Sequence, residues 1–154
     1  MIPEQTLETL ANGFGHLGSA DTNLKSAHTD TLSTDVNQAK GTVTCFVLGF
    51  LAGSVLENFR ANGRVSYFVA LPSHEAYQFK GQFIGTRELT EDDLYKSEKF
   101  RDAAQEYLTT VMGIPAEPLA QMFGMAPDLG VTFKVEKIYK QTPGPEAGRE
   151  LAFK

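Results

Sequence analysis

Three short runs hold the residue types from which a site is built. His28-Thr29-Asp30-Thr31 sets an imidazole, a carboxylate and two hydroxyls side by side. Gln78, Lys80 and Gln82 fall at every second position, so on a strand an amide, a cation and an amide project the same way, lining a polar site or facing bulk water. Gly13-Phe14-Gly15-His16-Leu17-Gly18 matches the spacing G-x-G-x-x-G. That motif holds a pyrophosphate only where a strand runs into it and a helix starts from it. Here a short helix precedes it and the turn-rich Ser19–Asn23 follows, so it is set aside, and its glycines are read as letting a first strand bend. His16, His28 and His74 lack the Cys or Glu spacing of a zinc site. No nucleophile, base and acid form a recognisable set.

The elements that must position these residues are mostly strands. Arg64–Gly85 is two alternating runs joined by a Pro-containing turn: Val65, Tyr67, Val69 and Leu71 share one face of the first, and Tyr77, Phe79, Gly81 and Phe83 one face of the second. Before this hairpin come a short helix over Pro3–Ala11, strands over Gly13–Gly18, Leu24–Leu32 and Thr42–Leu48, and a helix through Val55, Leu56 and Phe59 with Ser54 as its N-cap. Asn62-Gly63 ends that helix with a left-handed turn. Asp35–Gly41 reads as a polar connection. After the hairpin, Thr90-Glu91-Asp92-Asp93 forms a capping box with Asp in the place of Glu. The helix it starts has an apolar stripe of Phe100, Ala103, Ala104, Tyr107, Leu108, Val111 and Met112. A shorter helix with Leu119, Met122 and Phe123 follows. In the last strand Val131, Phe133, Val135 and Tyr139 alternate with polar residues, and Gln141–Gly148 is a turn-rich tail expected on a surface or a subunit interface.

A chain of 154 residues suits a single domain spanning 1–154, without repeats or linkers. The net charge of -5 argues against electrostatic binding of nucleic acid. No apolar run is long enough to span a membrane, and MIPEQTLETL lacks the form of a signal peptide, so a soluble protein is expected. The lone Cys45, inside an apolar strand, reads as a buried structural thiol and suits a reducing cytoplasm. Six strands joined in order, with helices between them, predict a mainly β, α+β fold: a small antiparallel barrel with helices at its mouth.

The order of elements, and above all LENFRANGRVSYFVALPSHEAYQFKG from Leu56 to Gly81, resembles the FMN-binding split-barrel proteins related to pyridoxamine 5'-phosphate oxidase. The resemblance extends from about Gly15 to the end of the chain. It implies a six-stranded split barrel, a homodimer with FMN in clefts between the subunits, and flavin-dependent oxidation or reduction of a small molecule. Carried over by position, His28, Thr29, Asp30 and Thr31, with Val47, Leu48 and Gly49, would lie along the isoalloxazine ring, and Gln78 and Lys80 would face the phosphate or ribityl chain. Where the oxidases hold the phosphate with Ser-Arg-Lys, this chain has Gly53-Ser54-Val55. Ser54, the helix amides, Lys80 and Arg60 or Arg64 are then the remaining phosphate partners. The arginine-bearing ending that holds substrate phosphate in the oxidases is absent, which leaves the substrate open. Two other readings stand beside this one: a non-catalytic flavin- or haem-binding module, and a cofactor-free dimeric scaffold.

Overall fold

The structure is a computed structural model, and it describes residues 1–153. Seven strands form one antiparallel sheet: β1 Phe14–Ala20, β2 Ser26–Thr31, β3 Thr34–Asn37, β4 Thr42–Val47, β5 Arg64–Ala70, β6 Ala76–Arg87 and β7 Leu129–Lys140. Their order across the sheet is β2-β1-β5-β6-β7-β4-β3. Four α-helices accompany them: α1 Leu7–Asn12, α2 Gly53–Asn62, α3 Glu91–Thr110 and α4 Ala116–Phe123.

The seventh strand corrects the expected six and comes from the segment read as a polar connection. β2 and β3 are consecutive halves of one bent run. The first half pairs with β1, the second with β4, and Leu32 and Ser33 between them exchange backbone bonds with Phe46 at 2.7 and 3.0 Å. This exchange draws the two ends of the sheet together, making a split barrel. Ser33 turns the corner with φ 93°, and its hydroxyl donates to the Ala11 carbonyl at 3.1 Å. Thr34 does the same to Leu10 at 2.7 Å, so α1 holds the bend. A bend pinned by hydroxyls is polar in sequence and extended in structure.

Inside the barrel, alternate residues make the core. Leu17, Val43, Cys45, Tyr67, Val69, Phe79 and Phe133 are fully buried, with Phe59 and Val55 of α2 closing one end. The period-2 reading is borne out from Val65 to Val69 in β5 and from Tyr77 to Phe83 in β6, whereas Leu71 lies beyond the end of β5 and is only half-buried. In β7 it fails after Val135, because Lys80 pairs with Lys137 while Gly81 pairs with Val135. The extra residue, Glu136, is a bulge that exchanges the two faces, so Ile138 enters the core and Tyr139 turns outward, correcting the expected alternation. The capping box is present: Thr90 Oγ1 accepts from Asp93 N–H at 3.2 Å and Asp93 Oδ2 accepts from Thr90 N–H at 2.9 Å. Asp93 also receives the Arg87 guanidinium, tying α3 to the end of β6. A second core lies between α3, α4 and the outer side of β1, where Phe14 meets Phe100 and Phe123 edge-on at 5.7 and 6.3 Å. Only part of the predicted stripe of α3 packs there. Phe100 and Ala104 are buried, Tyr107 and Leu108 half-buried, and Ala103, Val111 and Met112 exposed, because the helix runs past the edge of the barrel and ends at Thr110. The tail folds back on β7, with Leu151 N–H donating to Ile138 at 2.8 Å and residues 143–150 exposed.

Candidate functional site

Strand register decides which side chains share the outer face of the sheet. One cross-strand row runs Asp30, His16, Phe68, Gln78, Tyr139, and the next runs His28, Gly18, Ser66, Lys80, Lys137. Beyond the first row the face is covered by α3 and α4 through Phe14. Beyond that cover it is open, and two cavities lie along it, one reaching His16 and Asp30 and the other starting at Gly18 and His28.

The larger, about 560 Å³, lies between the ends of β1 and β2, the 3-10 turn Gly49–Leu51 and α4. Its walls are mostly apolar, from Phe14, Leu48, Phe50, Leu51, Met122 and Phe123. The turn is held by Asp128, whose Oδ1 accepts from Gly49 N–H at 2.7 Å, and this brings Phe50 and Leu51 to the cavity's mouth. Polar groups enter from the strands. Thr31 Oγ1 lies 3.1 Å from the buried Tyr67 hydroxyl, directly beneath Gly15, where a Cβ would sit 2.1 Å from that oxygen. Burial pushes the Tyr67 phenol well above its ordinary range, so it stays protonated and serves as a fixed hydrogen-bonding group. At the rim, His16 Nδ1 lies 2.6 Å from Asp30 Oδ1.

The second cavity is a groove of about 450 Å³ further along the same face, between β2, β1, β5 and β6. Arg64, Lys80 and His28 line it with Ser66, and no carboxylate does. Gly18, having no side chain, leaves the trough open between His28 and Ser66. Lys80 Nζ rests 5.3 Å from the centre of the Tyr139 ring, a contact available only because the Glu136 bulge turns Tyr139 outward. Neither Lys80 nor Arg64 joins any ion pair found among the described residues. In a chain of net charge -5, the groove is a local reversal of sign.

The residues singled out from sequence divide between these spaces. Thr29, Asp30, Thr31 and Leu48 line the apolar cavity, while His28 and Lys80 line the groove. Gln78 stands beside the groove and donates from Nε2 to Ser66 Oγ at 2.9 Å. Val47 is sealed in the core, and Gly49 spends its N–H on Asp128. Ser54 is exposed, lines neither cavity and does not cap α2, whose N-cap is Ala52 with no side-chain bond. The expected capping role is thus corrected: α2 starts two residues earlier than a Ser54 cap would set it, at Gly53, with only Ala52 between it and the 3-10 turn. His16, Gly15, Phe50 and Met122 also line the cavity, although the sequence did not assign them to a ring site, and the core residue Tyr67 supports its Thr31 from behind. For His16 the sequence signals are its place among the three histidines weighed as metal ligands and its even spacing from Phe14 and Gly18, while its pairing with Asp30 depends on register.

No protein-family model and no curated protein sequence matches the chain. Solved structures do. HupZ of Group A Streptococcus superimposes with a TM-score of 0.56 at 18% identity, covering 96% of this chain and 100% of its own. A candidate pyridoxamine 5'-phosphate oxidase of Lactobacillus delbrueckii gives 0.54 at 16%, covering 90% and 93%. An FMN-binding protein of Syntrophomonas wolfei gives 0.52 at 15%, covering 97% and 88%. The chain therefore has the α+β split-barrel fold found among pyridoxamine 5'-phosphate oxidase-like FMN-binding proteins.

Proposed function

We propose that this protein is a single-domain, homodimeric FMN-binding protein that acts as an oxidoreductase on a small molecule. One observation carries the reading: an apolar cavity opens beside an unpaired cationic groove on one sheet face, which suits a flat ring joined to a phosphate. Thr29, Thr31, Asp30, Leu48 and His16 would surround the ring. Lys80, Arg64 and His28 would hold the phosphate, replacing with strand cations the Arg-Lys pair that α2 lacks. When bound, the flavin supplies the redox chemistry, and the protein supplies orientation and electrostatics. Exposed Phe50, Leu51, Met122 and Met125 at the cavity mouth favour a second copy as cover. Among the described residues no helix is long and apolar enough to cross a membrane, and the one cysteine is free and buried, in keeping with a cytoplasmic setting.

The absorption spectrum of freshly purified protein is the first test. A two-band flavin spectrum is expected, whereas a Soret band would replace the reading with haem and neither band would favour the cofactor-free scaffold. The second is Lys80→Met, which keeps the stem and removes the ammonium. It should weaken FMN binding about tenfold to a hundredfold, as loss of a charge-assisted contact does. Riboflavin, without phosphate, should change little in the same fluorescence titration, and the FMN effect should shrink with salt. Equal losses for both ligands would remove Lys80 from the phosphate site. Light scattering should give twice the chain mass at micromolar concentration.

A further inference from the structure

We propose that His16, held by Asp30, is the acceptor that selects a ligand carrying an N–H on the edge of its ring. The inference rests on the flavin reading for the ligand's identity, though not for its chemistry. β1 and β2 place His16 and Asp30 directly opposite, with Nδ1 to Oδ1 at 2.6 Å. An ionised carboxylate only accepts, so Nδ1 carries the proton of this contact, and in the neutral ring Nε2 is left with its lone pair. The His28 ring packs edge-on against His16 at 6.4 Å and restricts its rotation. Both His16 and Asp30 line the apolar cavity, where the Thr31 hydroxyl is already engaged with Tyr67. A ring entering this space strips water from Nε2 and from the second Asp30 oxygen. His16 and Asp30 are half exposed at the rim, so it is the ring itself that covers them: a ligand with an N–H there repays the loss, and one without it leaves the covered acceptors unpaired. The imide N–H of an isoalloxazine is such an edge, as is that of the smaller pteridine-dione lumazine.

The experiment is 15N NMR of the imidazole rings in the full chain, with titrations of riboflavin, its 3-methyl derivative, lumazine and 1,3-dimethyllumazine. In the free protein His16 should show the Nδ1–H form, and riboflavin or lumazine should move its Nε2 signal in the direction of hydrogen bonding. Each methylated analogue should bind about tenfold more weakly than its parent, the loss expected when one hydrogen bond to acceptors covered by the ring goes unmade. His16→Phe should bring parent and analogue together, and His16→Gln, whose amide oxygen can accept, should restore part of the gap. An unmoved Nε2 signal, equal affinities for methylated and parent rings, or binding of neither pair overturns the proposal. Discrimination within the lumazine pair, with no binding of FMN or riboflavin, would support it while removing the flavin reading.

Discussion

The inner and outer faces of β1, β5 and β6 are one backbone apart and have opposite chemistry. Inward, Leu17, Tyr67 and Phe79 are fully buried against Phe133 and the α2 end of the barrel. Outward, between those same residues, stand His16, Ser66, Gln78 and Lys80, open to the cavity and the groove. The inner face is sealed and apolar apart from the Tyr67 hydroxyl bonded to Thr31, whereas on the outer face Arg64 and Lys80 join no ion pair found among the described residues. On the proposed reading, stability and binding fall to alternate residues of the same strands, and a change at one position should leave the other property almost intact.

The strongest test of that division is at neighbours. Phe79→Ala, deep in the core, should cost about 3 to 5 kcal/mol in denaturant melts. A loss below about 1 kcal/mol would mean the barrel interior is misassigned. Phe100→Ala, on the buried side of α3 against Phe14 and Phe123, should fall in the same range of about 3 to 5 kcal/mol, whereas the half-buried Tyr107→Ala should lose clearly less. Asp93→Ala sharpens the comparison by removing a contact that lies outside the barrel and still belongs to stability. It deletes the side-chain half of the capping box and the closer carboxylate of Arg87, leaving that guanidinium with Asp35 at 3.8 Å, and should cost about 2 kcal/mol. Burial alone would raise the Asp93 pKa, but the hydrogen bonds from Arg87 and Thr90 outweigh it and hold the carboxyl below its usual range. Its contribution is thus present above the unfolded-state carboxylate pKa and is lost as pH falls through the lower folded value, so the variant should differ from the parent at neutral pH and converge with it in acid. Tyr67→Phe should cost about 1 kcal/mol through the lost Thr31 bond. Lys80→Met, next to Phe79, should change the stability of the ligand-free chain by less than about 0.5 kcal/mol, the usual range for surface substitutions. A larger loss would place Lys80 in the fold rather than at a site.

How much of this was legible in the sequence follows from how local each feature is. The β5–β6 hairpin, the Thr90 capping box and the Gly63 turn at φ 72° rest on contacts within a few residues, and their patterns name them in advance. β3 hides because its polar residues satisfy α1 carbonyls more than twenty positions away in the chain. The Glu136 bulge hides because only the partner strand reveals which residue is extra. The site divides in the same way. His28–Thr31 and Lys80 are read by type and spacing, while His16 gains its Asp30 partner only through register, and Arg64 is separated from Arg60 only when four strands converge on one groove. Ser54, convincing as a cap by type, is displaced because the preceding 3-10 turn already feeds the chain into α2.

Cys45 gives the barrel a built-in clock. Its thiol sits in the wall between Tyr67 and the rest of the core with no exposed surface, and burial pushes its pKa well up. An alkylating reagent meets the thiolate only when the wall opens. Because the protein has no other cysteine, every labelling event reports the same opening. The rate at which the thiol is consumed, followed with and without ligand, reads how often the barrel parts along β4 and how far a molecule bound on the outer face slows that breathing.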